Sequence, residues 1–189
     1  MKFKYIKKKL IGLRSEVEVD NDIGQFDINK IVEDVYMHIL NDVYGWDLKN
    51  ANLLQENFPA IDLIDEESMI VIQITSTTDA TKLRNTVEKF EKLDDEYNIY
   101  DLKMFYIKEK PKFSKSILED FEDVELLGIK DILQEVKANP NVCEKVYETL
   151  HKMFGDYEAK KSNVSITIHG DVKGVVNAED GSVIHQTIS

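Results

Sequence analysis

Apolar positions along the chain repeat first at helical and then at strand spacing. Between Tyr5 and Glu18 the apolar residues Ile6, Leu10, Leu13 and Val17 predict a helix, and Asp20-Asn-Asp-Ile-Gly24 breaks it. Asp27 sits where an N-cap belongs. Behind it Ile31, Val35, Ile39 and Val43, with Val32, Tyr36 and Leu40, draw the buried stripe of a second helix ending near Gly45. Trp46 to Glu56 reads as a connector with a helical turn. Ala60–Asp65 and Met69–Thr77 are β-branched runs joined by Glu66-Glu67-Ser68, which predicts a β-hairpin. Thr78-Asp79 can cap a third helix, with Leu83, Val87 and Phe90 on its apolar face, running to about Leu93. Asp101 to Lys108 reads as a third core strand, stopped by Lys110-Pro111-Lys112. Helices over Ser114–Phe121, Ile129–Lys137 and Pro140–Phe154 follow, with Val124–Leu127 as a short strand. This order predicts an α/β fold with a mixed central sheet flanked by helices.

The last segment changes character. Val164–Ile168, Val172–Val176 and Val183–Thr187 are three short alternating runs punctuated by Gly170, Gly174 and Gly181. A meander this short buries too little apolar surface to stand alone. The expectation is therefore a main domain over 1–157 and a C-terminal β-tail over 158–189. The tail either docks on the domain or pairs with copies of itself or a partner by strand addition, making a homo-oligomer. His169 and His185 in it read as surface residues.

Composition narrows the class. The 189 residues suit one domain with an appendage, and 42% apolar with 32% charged residues is ordinary for a soluble globular chain. No run approaches the roughly 20 apolar residues of a membrane span, and Met1–Lys9 has no apolar stretch behind it to read as a secretory signal. One cysteine, Cys143, fits a reducing compartment, and the expected location is cytoplasmic. A net charge of −12 argues against a broad nucleic-acid platform, although lysines gather at Lys2–Lys9 and Lys103–Lys115.

Candidate chemistry concentrates at the hairpin. Asp62 on the first strand is an acid among apolar neighbours; Gln73 and Thr75 on the second point to one face, because side chains two apart share a face. An acid facing polar groups on the next strand can hold a divalent metal beside a phosphodiester. Asp62 can equally cap a backbone group, and Gln73 can tie two strands as a buried amide or offer its carbonyl to a hard cation. Thr75, Ser76 and Thr77 can orient water or phosphate. Glu33 on the second helix can turn towards the hairpin or lie in solvent, and Lys82 can stabilise phosphate charge or be solvated. His38 reads as lining an edge of the core, and Cys143 as a core-facing thiol.

These residues carry a resemblance. Tyr44-Gly-Trp-Asp-Leu-Lys-Asn-Ala-Asn52, Asn57-Phe-Pro-Ala-Ile-Asp-Leu63 and Ile72-Gln-Ile-Thr-Ser-Thr-Thr-Asp79 with Lys82 resemble the bacterial SMEK domain, from about Ile31 to Phe154. The resemblance implies a restriction-endonuclease-like core and a place in prokaryotic conflict and defence systems beside other components. It picks out Glu33, Asp62, Gln73 and Thr75, with Asp79 and Lys82 at the polar positions that follow. The implied catalytic set is Asp62, Gln73, Thr75 and Lys82, the metal set Glu33, Asp62 and Gln73 for Mg²⁺ or Mn²⁺, and the substrate-binding pair Ser76 and Asp79. The wider nuclease pattern has acid-x-lysine where this chain has Gln73-Ile74-Thr75. Three functions therefore stay open: a metal-dependent nuclease acting on nucleic acid, a nuclease fold that binds or senses nucleic acid without turnover, or an assembly adaptor whose acidic surface and β-tail recruit a partner. Phosphate-loop, dinucleotide and hydrolase-elbow signatures are absent, and one cysteine with four histidines gives no zinc spacing.

Overall fold

The computed structural model describes residues 1–24, 27–54, 58–94, 97 and 99–162, of which 27–29 and 156–162 are described by backbone alone. The three runs expected in the C-terminal tail lie outside the described residues. The chain divides into two units, Met1–Thr149 and Leu150–Ser189. In the second, the described part is the end of one helix, and the expected 157/158 boundary falls inside that helix.

In the first unit the helices α1 (Lys2–Asp22) and α2 (Asp27–Tyr44) come first. Ile6, Leu10, Leu13 and Val17 are the buried positions of α1, as their spacing requires. The helix runs one turn past the expected end. It stops at Gly24, which takes φ +77° and donates its N–H to the Asn21 carbonyl. In α2 the residues Val32, Val35, Tyr36, Ile39, Leu40 and Val43 are buried, but Ile31 is 55% exposed. The expected stripe is corrected there. At about 100° per residue Ile31 falls about 40° outside the arc that the other six share.

A five-stranded sheet follows in the order β1-β2-β3-β4-β5. Its strands are β1 (Lys49–Asn50), β2 (Leu63–Asp65), β3 (Ile70–Thr75), β4 (Asp101–Tyr106) and β5 (Glu125–Gly128). The first two pairings are antiparallel and the last two parallel, so the sheet is mixed and flanked by helices as expected. β1 and the 3-10 turn Ala51–Leu53 lie in the expected connector; a two-residue strand carries no periodicity to read. β2 is shorter than its apolar run predicts, because Ala60 takes φ 63° and turns the chain away.

The helices α3 (Ala80–Phe90), α4 (Lys115–Asp120), α5 (Ile129–Ala138) and α6 (Pro140–Ser162) complete the fold. The two sheet faces have different covers. Val71 and Leu102 share a cluster with Val87 and Phe90 of α3, and Met104 and Tyr106 pack with Leu83 of the same helix. On the opposite face Phe105 meets Tyr36 of α2 at 4.7 Å between ring centroids, and α1, α2 and α5 pack on one another. Lys103, in the basic stretch noted above, is a buried sheet residue paired with Glu125 at 2.6 Å, under the ring of Trp46.

Asp65, at the end of β2, holds the hairpin in place. Its Oδ1 accepts the N–H groups of Glu67 and Ser68, and Oδ2 accepts that of Asp47 in the loop behind α2. Burial alone would raise its pKa, but the backbone donors of Ser68, Asp47 and Glu67 outweigh it and hold the carboxyl below its ordinary value. Such a group stabilises the fold above the unfolded value near 3.9, and the contribution is lost as pH falls through the lower folded value. Asp65→Asn is therefore expected to cost about 1–3 kcal/mol at pH 7. Urea denaturation at pH 7 and pH 3 should show this gap narrowing in acid; a gap that is constant with pH would refute the assignment.

Candidate active site

Asp62 lies one residue before β2, at the point where the antiparallel ladder gives out. Its main chain still donates to the Ile72 carbonyl at 2.9 Å and accepts from Ala51 at 2.8 Å. Its side-chain Oδ2 accepts the Ile74 N–H at 2.6 Å and the side-chain amide of Gln73. The Gln73 nitrogen also donates to the Ile74 carbonyl at 3.0 Å. Both neighbours of that nitrogen are acceptors, which fixes the amide's orientation, since a flip would set oxygen against oxygen. Gln73 thus ties two strands and positions Asp62 through the same nitrogen.

Glu33, half-buried on α2, comes within electrostatic reach of Asp62. Burial and then the Asp62 charge push its pKa up to about 7, with Lys30 partly opposing. Burial likewise pushes Asp62 up to about 6, against the Ile74 N–H, Lys82 and the Gln73 amide. Asp62 ionises first, and its charge then opposes that of Glu33. Lys82, half-buried in the first turn of α3, has its pKa lowered by desolvation while Asp62 pulls the other way. Two desolvated carboxylates from separate elements with a lysine in reach are an arrangement typical of functional sites.

A cavity of about 160 Å³ opens at Glu33 of this pair, lined also by Ile74, Thr75, Ser76 and Ile107, with Asp62 and Lys82 outside its lining. It lies at the C-terminal ends of the parallel strands β3 and β4, where open α/β sheets bind their ligands. The remaining expected residues are nearby but engaged. Thr75 Oγ1 accepts the Thr77 N–H at 3.0 Å, and Ser76 Oγ accepts the Asn21 amide of α1 at 3.0 Å. Asp79 caps α3 by accepting the Lys82 N–H at 2.7 Å. Among the described residues no three of His, Cys, Asp and Glu come together as a metal cluster; the carboxylate donors are the pair Glu33 and Asp62. His38 is corrected to an exposed position, 3.9 Å from Asp34 and away from the core edge. Cys143 is partly exposed on α6.

The SMEK domain family matches residues 5–137, which contain every residue of this site. The chain belongs to the SMEK domain family. The match starts in α1, well before Ile31, and ends in α5 rather than at Phe154. The SMEK domain therefore includes α1, whose Asn21 holds Ser76. The chain is also similar to phosphoribosylformylglycinamidine synthase subunit PurL of Pelagibacter ubique, at 31% identity over 81 residues. That alignment covers 40% of this chain and 11% of that protein. No solved structure matches the chain. Among the described residues, no helix is long and apolar enough to cross a membrane.

Sequence reasoning missed Lys30, Ile107 and the anchoring role of Asn21. Lys30 carries a signal in retrospect, since it stands three residues before Glu33 on one helix. The raised pKa of Glu33 also has a consequence for stability. A carboxyl whose folded value is raised destabilises the fold once ionised, so the cost is absent below the unfolded value near 4.3 and complete above about 7. Glu33→Gln is expected to melt a few degrees above the wild type at pH 8 and level with it at pH 4.5. Equal melting at pH 8 would remove Glu33 from the coupled pair.

Proposed function

We propose that this SMEK domain is a metal-dependent nuclease-fold domain of a prokaryotic defence system, acting on nucleic acid and built on a restriction-endonuclease-like core. The observation that carries the reading is the pair of desolvated carboxylates, Glu33 lining a cavity and Asp62 opposing its charge, with Lys82 in reach. A hard divalent ion suits such a pair: Mg²⁺ binds through one or two carboxylates and keeps waters for its other positions. Asp62 and Glu33 would hold Mg²⁺ or Mn²⁺, which when bound lowers the pKa of its water and offsets phosphate charge.

The chain's own groups do the rest. Gln73 and the Ile74 N–H hold one Asp62 oxygen still. Lys82 brings a cation that burial has already stripped of part of its water. Thr75 and Ser76 line the cavity wall, and Asn21 fixes the Ser76 hydroxyl. The proposed partners are nucleic acid and other defence-system components, with the C-terminal tail as the element for self-assembly.

A second reading, a nucleic-acid-binding, sensing or assembly module without turnover, is favoured by one observation. Gln73 gives its amide nitrogen to Asp62 at the position where the nuclease pattern has an acid. Incubation of the full chain with plasmid DNA, linear DNA and RNA separates the two readings. Cleavage is expected with Mg²⁺ or Mn²⁺, to be abolished by EDTA and to fall to background in Asp62→Ala. Affinity for the ion should weaken as pH falls through 7 to 6, because protons compete for both carboxylates. Absence of cleavage by wild type in both metals would hand the site to the second reading.

A further inference from the structure

Residues 1–15, the greater part of α1, hold five lysines, one arginine and no acid, in a chain whose net charge is −12. Three of these cations are engaged: Lys2 with Glu144 of α6, Lys9 over the Tyr5 ring and Arg14 with Glu18 at 2.9 Å. Lys4, Lys7 and Lys8 are exposed, and among the described residues none of them meets an acid. At about 100° per residue the three share an arc of about 100°. That arc faces away from the buried row of Ile6, Leu10, Leu13 and Val17.

The stability of α1 does not ask for this arrangement. The first turn of a helix favours acids and disfavours cations, yet α1 has no acid there and carries Lys2 and Lys4. Lys4 stands at i,i+3 to Lys7 and at i,i+4 to Lys8, where like charges repel. Exposed lysines on other elements find acids: Lys115 meets Glu119 at 3.2 Å one turn on, and Lys130 meets Glu109. Charges that oppose their own helix and have no partner in the fold call for one outside it. The far end of α1 belongs to the site, since Asn21 donates to Ser76 in the cavity wall. From Lys8 to Asn21 is about 20 Å along the helix axis, the rise of about six base pairs.

We propose that Lys4, Lys7 and Lys8 form a docking face for the phosphate backbone of nucleic acid, holding it on α1 while another part of it reaches the cavity. This rests on the nucleic-acid reading above. A polyanion suits the face because its charges recur at short intervals, and the three lysines span only about 6 Å of axis. Each phosphate they neutralise releases counterions, and such contacts carry no sequence preference. The acidic remainder of the chain repels a strand, which narrows its contact to this face and the site.

Binding of fluorescein-labelled duplex DNA and of RNA strands by the full chain, in EDTA and over a series of salt concentrations, tests the face. The triple variant Lys4→Gln, Lys7→Gln, Lys8→Gln is expected to bind at least about tenfold more weakly. Its log affinity should fall less steeply with log salt, the slope being shallower by about 2–3. Its melting temperature should stay level or rise, because glutamine keeps helix propensity and removes the repulsion. A control with the same charge loss at scattered exposed lysines, Lys92→Gln, Lys115→Gln and Lys137→Gln, should bind nearly as wild type. Equal weakening by the two triples, an unchanged slope in the first or a fall in its melting temperature would overturn the face and leave the nucleic-acid reading standing. Failure of the wild type to bind either strand would overturn both, and binding of polyglutamate in their place would give the face to an acidic protein.

Discussion

One oxygen of Asp62 carries the pairing along β3 past the end of the antiparallel ladder, and the site depends on it. The positive φ at Ala60 turns the chain away before β2 can pair further along β3. That would leave the Ile74 N–H buried with no strand beside it, a cost that folded chains avoid. The Asp62 carboxylate takes this N–H. A backbone need therefore fixes where the charge sits, and a residue held by the ladder is more rigid than one carried on a loop.

The electrostatics of the site are left unfinished. Surface acids elsewhere in this chain find lysines: Glu109 meets Lys130, and Asp131 meets Lys110 at 3.0 Å. Glu33 instead feels the charge of Asp62, with Lys30 opposing at the first and Lys82 at the second. Ionising both carboxylates destabilises the fold, a tension that the cation proposed for this site would relieve. The contrast with Asp65 is instructive. Three residues further along the chain, three backbone donors make the Asp65 carboxylate a structural tie.

Much of this was legible from residue spacing. The long helices, the hairpin, the cap at Asp79 and the strand β4 follow from periods of 3.6 and 2 and from cap chemistry; that β4 pairs parallel to β3 does not. Ile31 misled because its row at i, i+4 drifts off the face that the other positions share, and β1 was too short to show a period. At the site, Asp62 and Gln73 could be placed together because both sit on strands of readable register. Whether Glu33 turned inward could not be read, since its neighbour Asp34 has the same chemistry and lies exposed.

The sheet order β1-β2-β3-β4-β5 repeats the order of the chain. Every new strand is laid on the edge left by the one before it, so pairing never waits for a distant segment and the entropy of closing large loops stays small. Glu33, Asp62, Gln73 and Lys82 all lie between α2 and the start of α3. These elements precede β4 and β5 in the chain, and the cavity wall is complete only when Ile107, directly after β4, is in place.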